Sequence, residues 1–146
     1  MSRFFKLVSS YDDETLLPER ATKHSAGYDF KAAERTIIPP GKIALVPTGI
    51  KASMNEDEVL LLFDRSSNPR KRGIVLSNSV GVIDADYYDN EGNEGLIYGQ
   101  FTNITNHDVI IEYGDTIMQG VFVNFKLTDN DTASNTRMGG FGSTGN

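Results

Sequence analysis

The chain contains no cysteine. That single absence excludes disulfides, thiolate zinc sites, iron–sulfur clusters and cysteine nucleophiles, and it fits a reducing, cytoplasmic setting. Histidine is almost as scarce. With only His24 and His107, a histidine-rich metal centre is not expected, and a bound metal should be a hard cation on oxygen, such as Mg²⁺. There is no long hydrophobic run. The longest, residues 59–63, falls far short of the ~20 apolar residues that span a bilayer, and residues 1–11 lack the apolar stretch of a secretory leader. Positive charge is in deficit: 14 Lys and Arg stand against 20 Asp and Glu, a net charge of −6. Duplex nucleic acid and anionic membranes require a broad basic face, so neither is expected as a partner. A local basic pocket remains compatible with that balance.

What is present is a chain of 146 residues, 38% hydrophobic and 23% charged, the length and composition of one globular domain. Short runs rich in Val, Ile, Phe and Tyr recur between turn signals at residues 4–8, 36–38, 43–46, 59–63, 73–76, 80–83, 96–104, 109–113 and 117–125. These are strand lengths, and their spacing predicts an all-β sandwich or barrel. No segment beyond about ten residues keeps a helical period. At most two short helices are expected. One lies near residues 13–19, interrupted by Pro18, and the other starts at Ser66 or Ser67 with Pro69 in its first turn. From residue 128 the composition turns polar and then glycine-rich. The expected organisation is therefore a β domain over residues 1–127 and a flexible arm over 128–146.

Three segments carry chemistry. Arg65-Ser66-Ser67-Asn68-Pro69-Arg70-Lys71-Arg72 gathers four cations and two hydroxyls at an expected helix start. A phosphate would find free N–H groups and positive charge there, but on its own the segment reads more readily as a solvated basic loop with an ordinary cap. Asn78-Ser79-Val80-Gly81-Val82-Ile83-Asp84-Ala85-Asp86-Tyr87-Tyr88 ends a strand in carboxylates and tyrosines, with a glycine inside it. Glycine in a strand marks the close approach of a ligand or another backbone, and a carboxylate beside it can act as a general base; an acidic hairpin turn is the plainer alternative. The third segment, Gly139-Gly140-Phe141-Gly142-Ser143-Thr144-Gly145, has no lysine before its hydroxyls and is no P-loop. A lone Phe141 in such an arm makes sense when it stacks on something flat, such as a base.

Taken in order, Ala26-Gly27-Tyr28-Asp29, Arg65-Ser66-Ser67, Asn78 with Gly81-Val82-Ile83-Asp84 and Asp86-Tyr87, Gly114-Asp115 with Gln119, and the glycine-rich arm resemble the five motifs of the homotrimeric dUTP diphosphatases. The form is that of Gram-positive bacteria and their phages. Any one motif is weak evidence; the five in this order and spacing are specific. The resemblance implies a β jelly roll assembled as a homotrimer. Each site would draw its first, second and fourth motifs from one subunit, its third from a neighbour, and its closing arm from the remaining one.

The resemblance also implies roles. Asp84 matches the carboxylate that deprotonates water for attack on the α-phosphorus of dUTP. Tyr87 matches the ring packed on deoxyribose that leaves no room for a 2′-hydroxyl. Asn78, with backbone at Gly81 and Ile83, matches the edge that reads uracil. Arg65, Ser66, Ser67 and Gln119 match groups around the phosphate chain, and Asp29 matches a carboxylate linked through water to Mg²⁺, which the triphosphate would hold. In the arm, Phe141 would stack on uracil, Gly142 would flank it, Ser143 and Thr144 would meet the γ-phosphate, and Arg137 would supply charge. Two departures stand out. The turn after Tyr87 is longer than in the commonest form, and Arg137 lies four residues before Phe141, where the commonest form has five. Two alternatives belong to other classes. A dCTP deaminase would carry a catalytic glutamate where this chain has Gln100; a nucleotide-gated interaction protein on the same fold would use the arm as a switch.

Overall fold

A computed structural model of the chain describes residues 2–140. Phe141, Gly142, Ser143 and Thr144 lie outside the described residues. Twelve strands follow in order: β1 (Phe4–Leu7), β2 (Glu19–Arg20), β3 (Tyr28–Lys31), β4 (Thr36–Ile38), β5 (Ile43–Pro47), β6 (Ile50–Ser53), β7 (Glu58–Asp64), β8 (Ile74–Leu76), β9 (Val80–Asp84), β10 (Tyr98–Asn103), β11 (Val109–Ile111) and β12 (Thr116–Asn124). All pairings are antiparallel, in a five-stranded sheet ordered β2-β3-β12-β7-β9, a three-stranded sheet β5-β10-β8, and the pairs β1-β6 and β4-β11. This is the all-β class that the strand spacing predicts, in the jelly-roll form that the resemblance implies. The helices are single turns at Glu14–Leu16, Asn68–Arg72 and Ala85–Tyr87. The first two fall where the sequence places them, and the third closes the end of β9. None of the described helices is long and apolar enough to cross a membrane.

Alternation drives the packing. In β10 every second residue is buried, with Phe101 fully enclosed, and in β9 Gly81 and Ile83 face inward while Val80 and Val82 face out. A side chain on the wrong parity would be driven from core to solvent, so the pattern sets the register. The core between the sheets is built on Phe30, Leu60, Leu62, Phe101, Ile117 and Met118, each no more than 2% exposed.

One buried charge holds the turn between β9 and β10 to the body. Lys51 on β6 is buried, its Nζ 2.5 Å from Asp89 Oδ1 and 2.8 Å from Glu94 Oε2. The Glu94 carboxylate also accepts from the Ser9 hydroxyl at 2.6 Å and the Ser9 N–H at 3.0 Å. Lys51, then Ser9, hold the Glu94 carboxyl down at about 2, against 4.5 when unperturbed. In that interval the unfolded chain binds the proton and the folded one does not. The stabilisation is therefore complete above about 4.5 and lost as the pH falls through about 2. Glu94→Gln should lower the melting temperature at neutral pH, and the gap to the parent should close steadily across that acid window. Thermal unfolding of both proteins between pH 7 and 2 measures it, and a gap independent of pH would mean the charge contributes nothing.

Candidate active site

Among the described residues β9 is the outer strand of the five-stranded sheet, so one of its edges has no partner strand there and presents backbone N–H and C=O groups. Beside that edge lies a cavity of about 250 Å³ lined by Leu62, Leu76, Asn78, Gly81–Asp84, Tyr87, Tyr98, Arg137 and Gly140. The structure thus brings together Asn78, Gly81, Ile83, Asp84, Tyr87 and Arg137 of the residues selected from sequence. Gly81 has a structural reason to be glycine: a Cβ there would sit 3.0 Å from the Leu62 side chain and fill the cavity floor.

Asp84 ends β9, with its side chain 48% exposed at the cavity mouth. Tyr87, in the turn that follows, is buried. Its hydroxyl donates to Leu96 O at 2.5 Å and accepts from Asn93 Nδ2 at 2.8 Å. Burial pushes the Tyr87 phenol up to about 12, while the Asn93 bond and the Arg137 charge pull the other way. The ring is a neutral wall at physiological pH.

The arm reaches this cavity in the single chain. Arg137 Nη2 lies 2.5 Å from Asp84 Oδ2, its Nε 2.6 Å from Asp86 Oδ1, and its Nη1 donates to Gly139 O at 2.9 Å. Met138 O accepts from Gly92 N–H at 3.1 Å. At Gly140 a Cβ would come within 2.8 Å of Tyr87 Cδ1, so only glycine lets the arm lie flat on the ring.

A second cluster forms elsewhere. Asp29 on β3 is the register partner of Gln119 on β12, and Gln119 Nε2 lies 3.4 Å from Asp64 O at the end of β7. Arg65, Ser66 and Ser67 follow directly. Asp64, which no sequence motif singles out, organises them: its carboxylate accepts from Arg65 N–H at 2.9 Å, Asn68 Nδ2 at 2.6 Å and Leu76 N–H at 2.9 Å. Its partners lie up to β8, and no local pattern announces them. Arg65 Nη1 donates to Thr116 O at 3.2 Å. Ser67 heads the helical turn, yet its side chain makes no capping bond and Ser66 is exposed. The hydroxyls are therefore not used as an ordinary cap would use them.

The two clusters do not meet within one chain. Asp84 pairs with Val59 at one end of β7, whereas the Gln119 cluster gathers at Phe63 and Asp64 at the other. At about 3.3 Å per residue those ends are roughly 17 Å apart. None of Asp29, Arg65, Ser66, Ser67 or Gln119 lines the Asp84 cavity. Among the described residues no group of three or more His, Asp or Glu side chains forms a metal cage.

An all-β jelly roll with a cleft against the free edge of an outer strand, walled by a tyrosine and a carboxylate, defines a class of compact ligand-binding β proteins. The chain belongs to the dUTPase family, whose sequence profile matches residues 13–145. It is 52% identical over 146 residues to the deoxyuridine 5′-triphosphate nucleotidohydrolase of Lactococcus lactis subsp. lactis, covering 98% of this chain and 97% of that one. The crystal structure of the dUTPase from Streptococcus mutans superposes with a TM-score of 0.87 at 59% identity, covering 88% of this chain and 100% of that one. The dUTPase of phage phi11 of S. aureus shares the fold, with a TM-score of 0.73 at 23% identity over 92% of this chain and 97% of that one.

Proposed function

We propose that this protein hydrolyses dUTP to dUMP and diphosphate, limiting uracil in DNA and supplying dUMP for thymidylate synthesis. The observation that carries the reading is the convergence of Asp84, Tyr87 and the free edge of β9 on one cavity, in a chain of the dUTPase family. The edge offers N–H and C=O groups in the plane of a pyrimidine and pairs with uracil at Gly81 and Ile83, with Asn78 at its end. A methyl group on the ring would meet the strand, and a 2′-hydroxyl would meet the Tyr87 ring. A wrong base strands buried polar groups, which can be worth several kcal/mol.

Asp84 orients a water and takes its proton as the oxygen attacks the α-phosphorus. The bond from that phosphorus to the bridging oxygen breaks, and diphosphate leaves with the electron pair. Arg65, Ser66, the N–H of Ser67 and Gln119 hold the phosphate chain. Arg137, and the arm residues Phe141, Gly142, Ser143 and Thr144, close over it. Asp29 is a half-buried hard-oxygen donor in the phosphate-side cluster, which suits a Mg²⁺ held mainly by the triphosphate and reached through water. Bound Mg²⁺ supplies charge neutralisation across the phosphates. In a variant of the phage phi11 enzyme a structural Mg(II) ion is coordinated.

The roughly 17 Å between the clusters supports a site completed by another copy of the chain, and the resemblance to the homotrimeric dUTP diphosphatases makes that assembly a homotrimer. One chain's Asp84 and Tyr87 need a second chain's Ser66 and Gln119, and identical chains supply both halves by symmetry. The same symmetry lets an arm that lies on its own Asp84 lie equally on a neighbour's. The activity belongs in the cytoplasm with its substrate pool, and neither nucleic acid nor membrane is part of it.

The test is hydrolysis in ¹⁸O-water with Mg²⁺, using dUTP, dCTP, dTTP and UTP. dUTP alone should turn over efficiently, and the label should enter dUMP rather than diphosphate, because the attack is on the α-phosphorus. Label in diphosphate would place the attack elsewhere. Conversion of dCTP to a uracil nucleotide would make the protein a deaminase, and binding without turnover would make it an interaction protein.

A further inference from the structure

The lengthened turn after Tyr87 has no part in the chemistry described above, yet Asn90 and Asn93 within it are bonded to the backbone and to the Tyr87 hydroxyl. We propose that Asn93, within this turn, is a positioning residue that holds the Tyr87 ring against the sugar and thereby sets discrimination between deoxyribose and ribose. The proposal rests on the reading of the protein as a dUTPase.

Asn93 reaches back across the turn. Its Nδ2 donates to Tyr87 Oη at 2.8 Å, while its Oδ1 accepts from Asn90 Nδ2 at 2.8 Å and from Gly95 N–H at 3.1 Å. Asn90 Nδ2 in turn donates to Tyr87 O at 2.7 Å. The Tyr87 hydroxyl is thus fixed between Asn93 and Leu96 O, and its backbone is fixed by Asn90. A ring held at both ends cannot tilt aside for an extra hydroxyl without breaking buried hydrogen bonds.

The turn is itself anchored. Asp89 and Glu94 have φ of 57° and 66°, a left-handed backbone that non-glycine residues adopt only when the surroundings hold them there. Here the surroundings are Lys51, buried on β6 and bonded to both carboxylates, with Tyr88 4.9 Å from its Nζ. The chain of support runs from β6 through Lys51 to the turn, and from Asn93 to the ring that lines the cavity.

The experiment compares kcat/KM for dUTP and for UTP in the parent, Asn93→Ala, Asn93→Asp, Tyr87→Phe and Tyr87→Phe/Asn93→Asp. Asn93→Asp keeps an acceptor for Asn90 and Gly95, so it preserves the turn if Asn93→Ala does not fold; it replaces the donor to Tyr87 by a carboxylate oxygen, which can hold the phenol only if the phenol gives up Leu96 O. The preference for dUTP should fall about fivefold in Asn93→Asp, the scale of one hydrogen bond. Adding Asn93→Asp to Tyr87→Phe should change it no further, because the shared bond is already gone. An unchanged preference, or losses that multiply in the double variant, would overturn the proposal. A second readout needs no nucleotide: the Tyr87 ¹³Cζ resonance of the free protein should move in Asn93→Asp, and a fixed resonance would also overturn it. If the parent fails to hydrolyse dUTP, the dUTPase reading falls, while the resonance still decides whether Asn93 holds the ring.

Discussion

Asp84→Asn should lower kcat for dUTP by at least about 100-fold, some 2.7 kcal/mol of transition-state stabilisation, within the usual contribution of a general base. Asparagine has the shape of aspartate but no basicity, so water would attack without a proton acceptor. The fold should not suffer. The Asp84 side chain is about half exposed, and the backbone pairing of β9 with β7 does not depend on it. Affinity for dUMP should stay close to that of the parent, which separates chemistry from binding. Asp86→Asn is the matched control: its carboxylate is 60% exposed and also pairs with Arg137, but it does not line the cavity. It should retain most of the activity. An Asp84→Asn enzyme with more than about a tenth of the parent kcat, a loss under ~1.4 kcal/mol, would remove Asp84 from the role of base.

Ending the chain at Thr136 should leave a folded protein with dUTP turnover reduced at least about 100-fold, the scale of losing preorganised phosphate contacts and the exclusion of water. Among the described residues, this truncation removes the ion pairs of Arg137 with two half-exposed carboxylates, the Gly92–Met138 hydrogen bond and the packing of Gly140 on the Tyr87 ring. Pairs whose carboxylates are this open to solvent contribute about 0.2–1 kcal/mol each, so the melting temperature of the protein alone should fall by no more than about 10 °C. A large fall would make the arm a structural element. Arg137→Ala isolates one part of the effect. Within the single chain Arg137 pairs with both Asp84 and Asp86, and to meet a triphosphate it must exchange them for phosphate oxygens. Losing it should weaken dUTP catalysis by about 1.5–3 kcal/mol, as for a hydrogen bond to a charged group, with dUMP binding little changed. Arg137→Lys should recover part of that loss, since it keeps the charge without the planar fork. Equal losses for dUTP turnover and dUMP binding would mean that Arg137 serves to dock the arm.

The nine strands expected from apolar alternation all form, with ends shifted by at most a few residues. The strands missed are instructive. β6 contains Lys51 among Ile50, Ala52 and Ser53, and a lysine in a short run reads as surface. It is buried only because Asp89 and Glu94 come from far along the chain to meet it, and a charge goes inside when it is paired. β3 is four residues, Tyr28-Asp29-Phe30-Lys31, too short and too charged to stand out, and it becomes a strand because β12 and β2 flank it. Asp64 and Asn93 carried no signal for the same reason: what each does depends on partners that side-chain chemistry alone does not locate.

By itself the sequence determined the all-β class, the turns, the order of the motifs and the residues Asp84, Tyr87 and Gly81 as one unit, because alternation, glycine and a strand-ending carboxylate are local properties. Tertiary structure alone decided which units share a site. Antiparallel register sets Asp29 against Gln119, and it sets Asp84 at the far end of β7 from Asp64. Register is a relation between segments tens of residues apart, settled by which faces bury together, and no local pattern encodes it.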